Sequence, residues 1–165
     1  MREGLECVLV ERISALDAPR VMYRVGGRMP LHATAPGLVL LAFAPAQVQE
    51  DFLAADRSVD EDELMGTAEE LRSRLAAIRR DRFAVYSRLQ WDTFMTGVSA
   101  PIRDRHQTVI AAISVITPSE QSQPSAHIPA VVAMARAITR AMNTETVGGP
   151  SRTAAPPHQG ARRLR

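Results

Sequence analysis

Four histidines, one cysteine and an acidic run are the residues whose types could do chemistry here: metal ligation, nucleophilic attack or acid–base work. Metal ligation needs donors repeated at helix or strand spacing. His32, His106, His127 and His158 never fall at i, i+2 or i, i+4 to one another or beside Cys7. His32 reads as a residue hydrogen-bonded to its own loop. Cys7 lies in an apolar run, where a free cysteine behaves as a small hydrophobe. Being single, it makes no internal disulfide, which fits a reducing cytoplasm. The run Asp60–Glu63 (DEDE) reads as a solvated loop. No nucleophile elbow, phosphate-cradling loop or pair of helical carboxylates occurs. The chain therefore reads as a binder and not an enzyme, with no catalytic group, metal or cofactor expected.

Binding is spelled by small side chains. Gly97, Ser99, Ala111, Ala112 and Ser114 cluster on two predicted strands that otherwise carry branched residues. Small groups on an inner sheet face leave a cavity unless a helix presses in, and on packing alone the close helix is the favoured reading. The segment around Thr34–Pro36 supplies a helix N-terminus, whose free N–H groups and positive dipole end suit a carboxylate.

The elements that must position these residues follow from periodicity and punctuation. Leu5–Ile13 and Val21–Val25 predict strands around a turn near Pro19. Thr34 can cap a buried helix to Phe43, with Pro36 tolerated in its first turn. A second helix starts at Pro45, with Val48 and Phe52 on one face. Asp56–Gly66 is an acidic loop. Thr67-x-x-Glu70 is a capping box, followed by Leu71, Leu75 and Ile78 at helical spacing and an i, i+4 pair of Glu70 with Arg74. Phe83–Leu89 predicts a strand. Thr93–Arg103 and Thr108–Thr117 predict a pair turning at Asp104–Gln107, with Pro101 pushing its arm toward an edge or a bulge. A last helix, about Ile128–Met142, carries Ile128, Val131, Val132, Ala135, Ile138 and Met142 on one stripe. The order β-β-α-α-α-β-β-β-α predicts an α+β fold, an antiparallel sheet flanked by helices.

At 165 residues and 45% apolar content the chain suits one domain, burying roughly 70% of its unfolded surface. Its longest apolar runs are too short to span a bilayer, and no secretory signal pattern opens it, so no membrane partner is expected. The net charge of +2 divides unevenly. Residues 1–143 hold 16 Arg against 17 Asp and Glu, and residues 144–165 hold 4 Arg against one Glu. The folded part is thus not a nucleic-acid surface by charge. Residues 144–165, dense in Gly, Pro, Ser and Thr, read as a disordered basic tail after a domain spanning 1–143.

Two segments carry a resemblance to a known family. Arg28–Phe43 (RMPLHATAPGLVLLAF) and Ile102–Pro118 (IRDRHQTVIAAISVITP) resemble, in order and wording, the effector-binding domain of the IclR family of bacterial transcriptional regulators. The first matches a P-L/M-H-A-[ST]-x-x-G segment that opens a helix, the second the A-[AI]-S-[VI] strand across the pocket. The likeness runs from about Glu3 to Asn143. It implies a GAF-like fold and a small-molecule effector, often an organic or aromatic acid, held between sheet and helix.

Carried over by position, the resemblance implies a pocket of Ala35 and Pro36 at the helix start, Tyr86 or Ser87 on the third strand, and Gly97, Ser114 and Ile116 on the last two; Ser99 joins it from the small-residue cluster. Trp91 or Tyr86 could stack on an aromatic ligand, although a lone Trp is more often core or interface. This chain departs from the family pattern: Pro36 removes an N–H, Leu38 replaces a Lys, Tyr86-Ser87-Arg88 replaces an acidic strand, and Ile116 replaces a Ser. A more apolar pocket is expected. The resemblance also implies a cytoplasmic homodimer or homotetramer. The family's helix-turn-helix is missing from these residues, so no direct DNA binding by this chain is expected. The alternative is a stand-alone interaction module that hetero-oligomerises with full-length regulators. A redox role, known for some GAF-like domains, requires cooperating cysteines beyond Cys7.

Overall fold

Thr34 is extended at φ −146°, and its Oγ1 accepts the Gly37 N–H at 3.0 Å, which starts helix α1 (Ala35–Ala42) as its sequence predicts. The structure, a computed structural model, describes residues 1–54, 67–120 and 123–144. Helix α1 is apolar all round and almost wholly buried, so it is the centre of the fold and not a surface helix. Its C-terminal carbonyls find donors on two neighbours. Gln49 of α2 (Ala46–Ala54) and Arg79 of α3 (Ala68–Asp81) both reach the Ala42 carbonyl, at 3.3 and 3.2 Å. Helix α3 opens on the predicted capping box: Thr67 N–H donates to Glu70 Oε2 at 2.6 Å, and Glu70 N–H to Thr67 Oγ1 at 3.2 Å. Leu71, Leu75 and Ile78 form its buried stripe, and Arg82 ends it in the left-handed region at φ 67°.

The strands are antiparallel but fall into two sheets. In the larger, β4 (Ala84–Gln90), β5 (Thr93–Arg103) and β6 (Val109–Pro118) are ordered β4-β5-β6. Helix α1 covers one face of this sheet, and α4 (Pro124–Thr144) covers the other. The α1 face belongs to the main core with Leu38, Leu41, Leu71, Leu75 and Tyr86. On the opposite face Val98, Ala100 and Ile102 pack against Val131 and Ala135. The result is an α+β fold, sheet between helices.

The N-terminal region departs from its predicted strands. The smaller sheet is built from β1 (Arg2–Glu3), β2 (Glu6–Val8) and β3 (Arg28–Pro30). The predicted strand Leu5–Ile13 is thus cut to three residues, and Val21–Val25 is no strand. The chain between β2 and β3 is closed by Gly26 N–H to Leu9 O at 2.8 Å and Leu9 N–H to Gly27 O at 3.0 Å. Beyond that closure, Met22 N–H donates to Gln90 Oε1 at 3.3 Å and Tyr23 OH accepts from Arg88 at 2.9 Å. The β-prone run is therefore held by side chains of β4 and has no backbone ladder.

Smaller differences have local causes. Helix α4 begins four residues before its predicted start and takes Pro129 inside its second turn. Pro101 sits where β5 outruns its neighbour, because β4 begins opposite Ser99. A register shift follows at Ile102/Arg103. The acidic loop Asp56–Gly66 and residues 145–165 of the predicted tail lie outside the described residues.

Candidate ligand site

Register decides which predicted site residues can meet. Tyr86 pairs Gly97, and Gly97 pairs Ile116, so these three form one row across the α1 face. Ala84, Ser99 and Ser114 form the next row on the same face. Helix α1 comes down on Gly97: a Cβ built there would lie 3.2 Å from the Ala35 Cβ. Ala35, Tyr86, Gly97, Ser99, Ser114 and Ile116 are therefore gathered at the start of α1, beside the half-buried Pro36. Ser99 is fully buried and donates to the Ile113 carbonyl at 2.9 Å. Ile116 is 39% exposed, so this face is walled toward β4 and open toward β6.

Two predicted residues are placed elsewhere. Ser87 lies on the opposite face, where its Oγ is 2.7 Å from Thr96 Oγ1, itself 2.6 Å from Ser119 Oγ. Of the pair Tyr86 or Ser87, strand alternation puts Tyr86 with Gly97. Trp91 occupies the two-residue turn between β4 and β5 at φ 51° and is 59% exposed.

The residue that sequence reasoning missed is Arg88. It shares parity with Tyr86, so its guanidinium lies on the α1 face one row further along, paired in register with Met95. Nη1 donates to Tyr23 OH at 2.9 Å and reaches Ala33 O at 3.4 Å, while Nε is buried without a hydrogen-bond partner. Among the described residues no carboxylate pairs with Arg88. A half-buried cation left without a counter-charge costs free energy until an anion joins it. The signal was present in the sequence, since an inward Tyr86 entails an inward Arg88.

The remaining chemistry-bearing residues are structural. His32 is buried with its ring centroid 5.7 Å from that of Phe52, so it packs in the core beneath its loop. Cys7 Sγ lies 3.5 Å from Met29 O and 3.8 Å from Thr34 Oγ1. Burial pushes its thiol pKa up, against the lowering by its contact with Thr34, the opposite of what an activated thiol needs. Among the described residues no three His, Cys, Asp or Glu side chains are placed to hold a metal. No helix among them is long and apolar enough to cross a membrane.

Comparison with known proteins agrees with this architecture. Residues 1–144 match the family model for the bacterial transcriptional regulator IclR C-terminal domain. The chain is 26% identical over 143 residues to the glycerol operon regulatory protein of Streptomyces coelicolor, covering 86% of this chain and 56% of that one. It is 30% identical over 116 residues to the HTH-type transcriptional regulator XynR of Escherichia coli K12, covering 70% and 46%. Among solved structures it superposes with a TM-score of 0.77 and 30% identity on an IclR homolog of Microbacterium hydrocarbonoxydans complexed with 4-hydroxybenzoate, covering 86% and 57%. The chain spans about half the length of the curated relatives it matches. The two curated relatives are regulatory proteins, in line with the reading of this chain as a binder. By sequence and fold the chain belongs to the IclR family, in which it corresponds to the C-terminal effector-binding domain.

Proposed function

We propose that this domain senses a small aromatic or organic acid at the start of α1 and passes binding to an oligomeric regulator. The observation that carries the reading is Arg88, an uncompensated cation on the same sheet face as the Tyr86–Gly97–Ile116 row. A guanidinium offers paired donors in the geometry of a carboxylate, and the buried Tyr86 with Ile116 and Pro36 offers an apolar wall for a ring. The 30%-identical relative complexed with 4-hydroxybenzoate supports a ligand of this class. Ala35 and Gly97 are small where helix and sheet touch and Ser99 is fully buried, so the ligand would sit beside this contact, on its open side toward Ile116. Trp91 and Ser87 would act from outside it.

Oligomerisation is the second part of the proposal. Leu89 and Phe94 lie on the sheet face toward α4 and are 51% and 55% exposed, at the end of that face away from the Val98–Val131 packing of α4. Such a patch fits a second copy in a homodimer or homotetramer, or the matching face of a full-length regulator. The domain would act in the cytoplasm without touching DNA itself. A ligand that fits one assembly better shifts the equilibrium by its differential affinity.

The test is calorimetric titration of 4-hydroxybenzoate into the wild-type chain and into Arg88→Gln. Saturable binding that falls at least tenfold in the variant, with its melting temperature retained, supports the reading. Equal affinity in both, or none in either while 4-hydroxybenzyl alcohol binds, refutes the role of Arg88 and of a carboxylate.

A further inference from the structure

A groove of about 260 Å³ lies at the far end of the fold from the α1 site, between α4 and the last residues of β5. Four arginines line it from three separate elements: Arg82 at the α3–β4 junction, Arg103 at the end of β5, and Arg136 and Arg140 on α4. No Asp or Glu lines it, and among the described residues none of the four is in a salt bridge. Arg82 alone would be explained by the carboxyl end of α3, whose dipole favours cations. Arg103 and Arg136 sit at no helix end.

The groove is built, not incidental. Strand β5 outruns β4 beyond Ser99, which leaves its last four residues without a strand on that side. At the register shift after Ile102 the Arg103 N–H donates across to Thr139 Oγ1 of α4 at 3.0 Å, tying the two walls together. The Arg103 guanidinium is itself held, by its Nη1 bond to Gln107 O at 2.7 Å and by stacking 4.7 Å over the Phe43 ring. Burial and then the Arg82 charge push its pKa down, so the two cations are held together against their repulsion. Pro101 in this open stretch has no N–H to offer, which argues against an added β-strand as occupant. What the groove lacks is negative charge.

We propose that this groove is a second binding site, distinct from the α1 site, for a small molecule bearing two or more oxyanion groups. Phosphate esters and tricarboxylates share that chemistry, and forked guanidiniums bind both.

The experiment titrates inorganic pyrophosphate and, separately, citrate into the full chain by calorimetry at fixed ionic strength. Arg136→Gln/Arg140→Gln and Arg136→Lys/Arg140→Lys are carried alongside. Both arginines are exposed, so these variants are expected to fold, and circular dichroism checks it. We expect one-to-one binding of at least one probe, weakened tenfold or more by the Gln pair and less by the Lys pair, and weakened again by added salt. Preference between the probes identifies the source of the oxyanions. Binding of 4-hydroxybenzoate should be unchanged in the Gln pair, and pyrophosphate or citrate binding unchanged in Arg88→Gln, which keeps the two sites separable. The proposal is overturned if neither probe binds better than chloride, if the Gln pair binds as the wild type does, or if only a DNA duplex binds and does so through these arginines.

Discussion

Ala35, the first residue of α1, sits directly against Gly97 at the middle of β5, with 3.2 Å between its Cβ and the Cβ that any larger residue would place there. This approach brings the N-terminal end of the helix onto the sheet row that carries Tyr86 and Ile116. Gly97→Val inserts three carbons into that contact. It should destabilise the chain by about 1–3 kcal/mol, the usual cost of overpacking, in a urea denaturation series. In the fraction that remains folded, 4-hydroxybenzoate should no longer bind. Unimpaired binding in the folded variant would place the ligand away from the Ala35–Gly97 contact.

Gly37 tests how α1 is seated. A Cβ there would fall 2.3 Å from the Leu31 carbonyl oxygen and 2.6 Å from Thr34 Oγ1, the cap itself. Both the backbone of the preceding loop and the cap must shift to admit a methyl. Gly37→Ala should therefore cost at least the upper part of the roughly 1–3 kcal/mol overpacking range, despite the better helix propensity of alanine. A melting temperature equal to that of the wild type would contradict this seating.

The capping box predicts a pH dependence. The Thr67 N–H and hydroxyl hold the Glu70 carboxyl below its ordinary value. A depressed native pKa adds stability above the unfolded value, about 4.3, and that stability is lost as pH falls through the native one. Glu70→Gln keeps an acceptor for the Thr67 N–H but not the charge. Wild type should exceed the variant in stability at pH 7, and the two should converge in acid below pH 4. A gap that is constant across this range would mean the charge contributes nothing.

Much of the architecture was legible because local signals agreed with burial. Thr34 and Thr67 cap where their sequence places them, and the strand predicted over Thr93–Arg103 has those bounds in the structure. The N-terminal region was misread because Val21, Tyr23 and Val25 have β propensity but no strand neighbour, and propensity without a partner makes no ladder. Strands of two or three residues, such as β1 and β3, carry no periodicity to detect. At the candidate site, the small residues were legible from type alone. Arg88 was not, because an arginine in a strand reads as solvent-facing until the parity of Tyr86 is fixed. The arginine groove was invisible for another reason: Arg82, Arg103, Arg136 and Arg140 converge only through tertiary packing.

Leu89 and Phe94 oppose each other in register on the sheet face toward α4, and more than half of each is exposed. Val98, two rows along the same face, is 1% exposed because α4 covers it. Beyond the polar Ser87–Thr96 row the exposed end thus carries an apolar pair with no lid, and it ends at the turn that presents Trp91. Exposed apolar area of this kind is removed from water most readily by a matching surface, and two copies of one chain supply it by symmetry. Charges introduced there should split the assembly without unfolding the domain, since neither side chain is buried in the monomer. For Leu89→Arg/Phe94→Arg we expect sedimentation velocity at micromolar concentration to give a monomer, and the wild type a dimer or larger. If both sediment alike, this face is not where the copies meet.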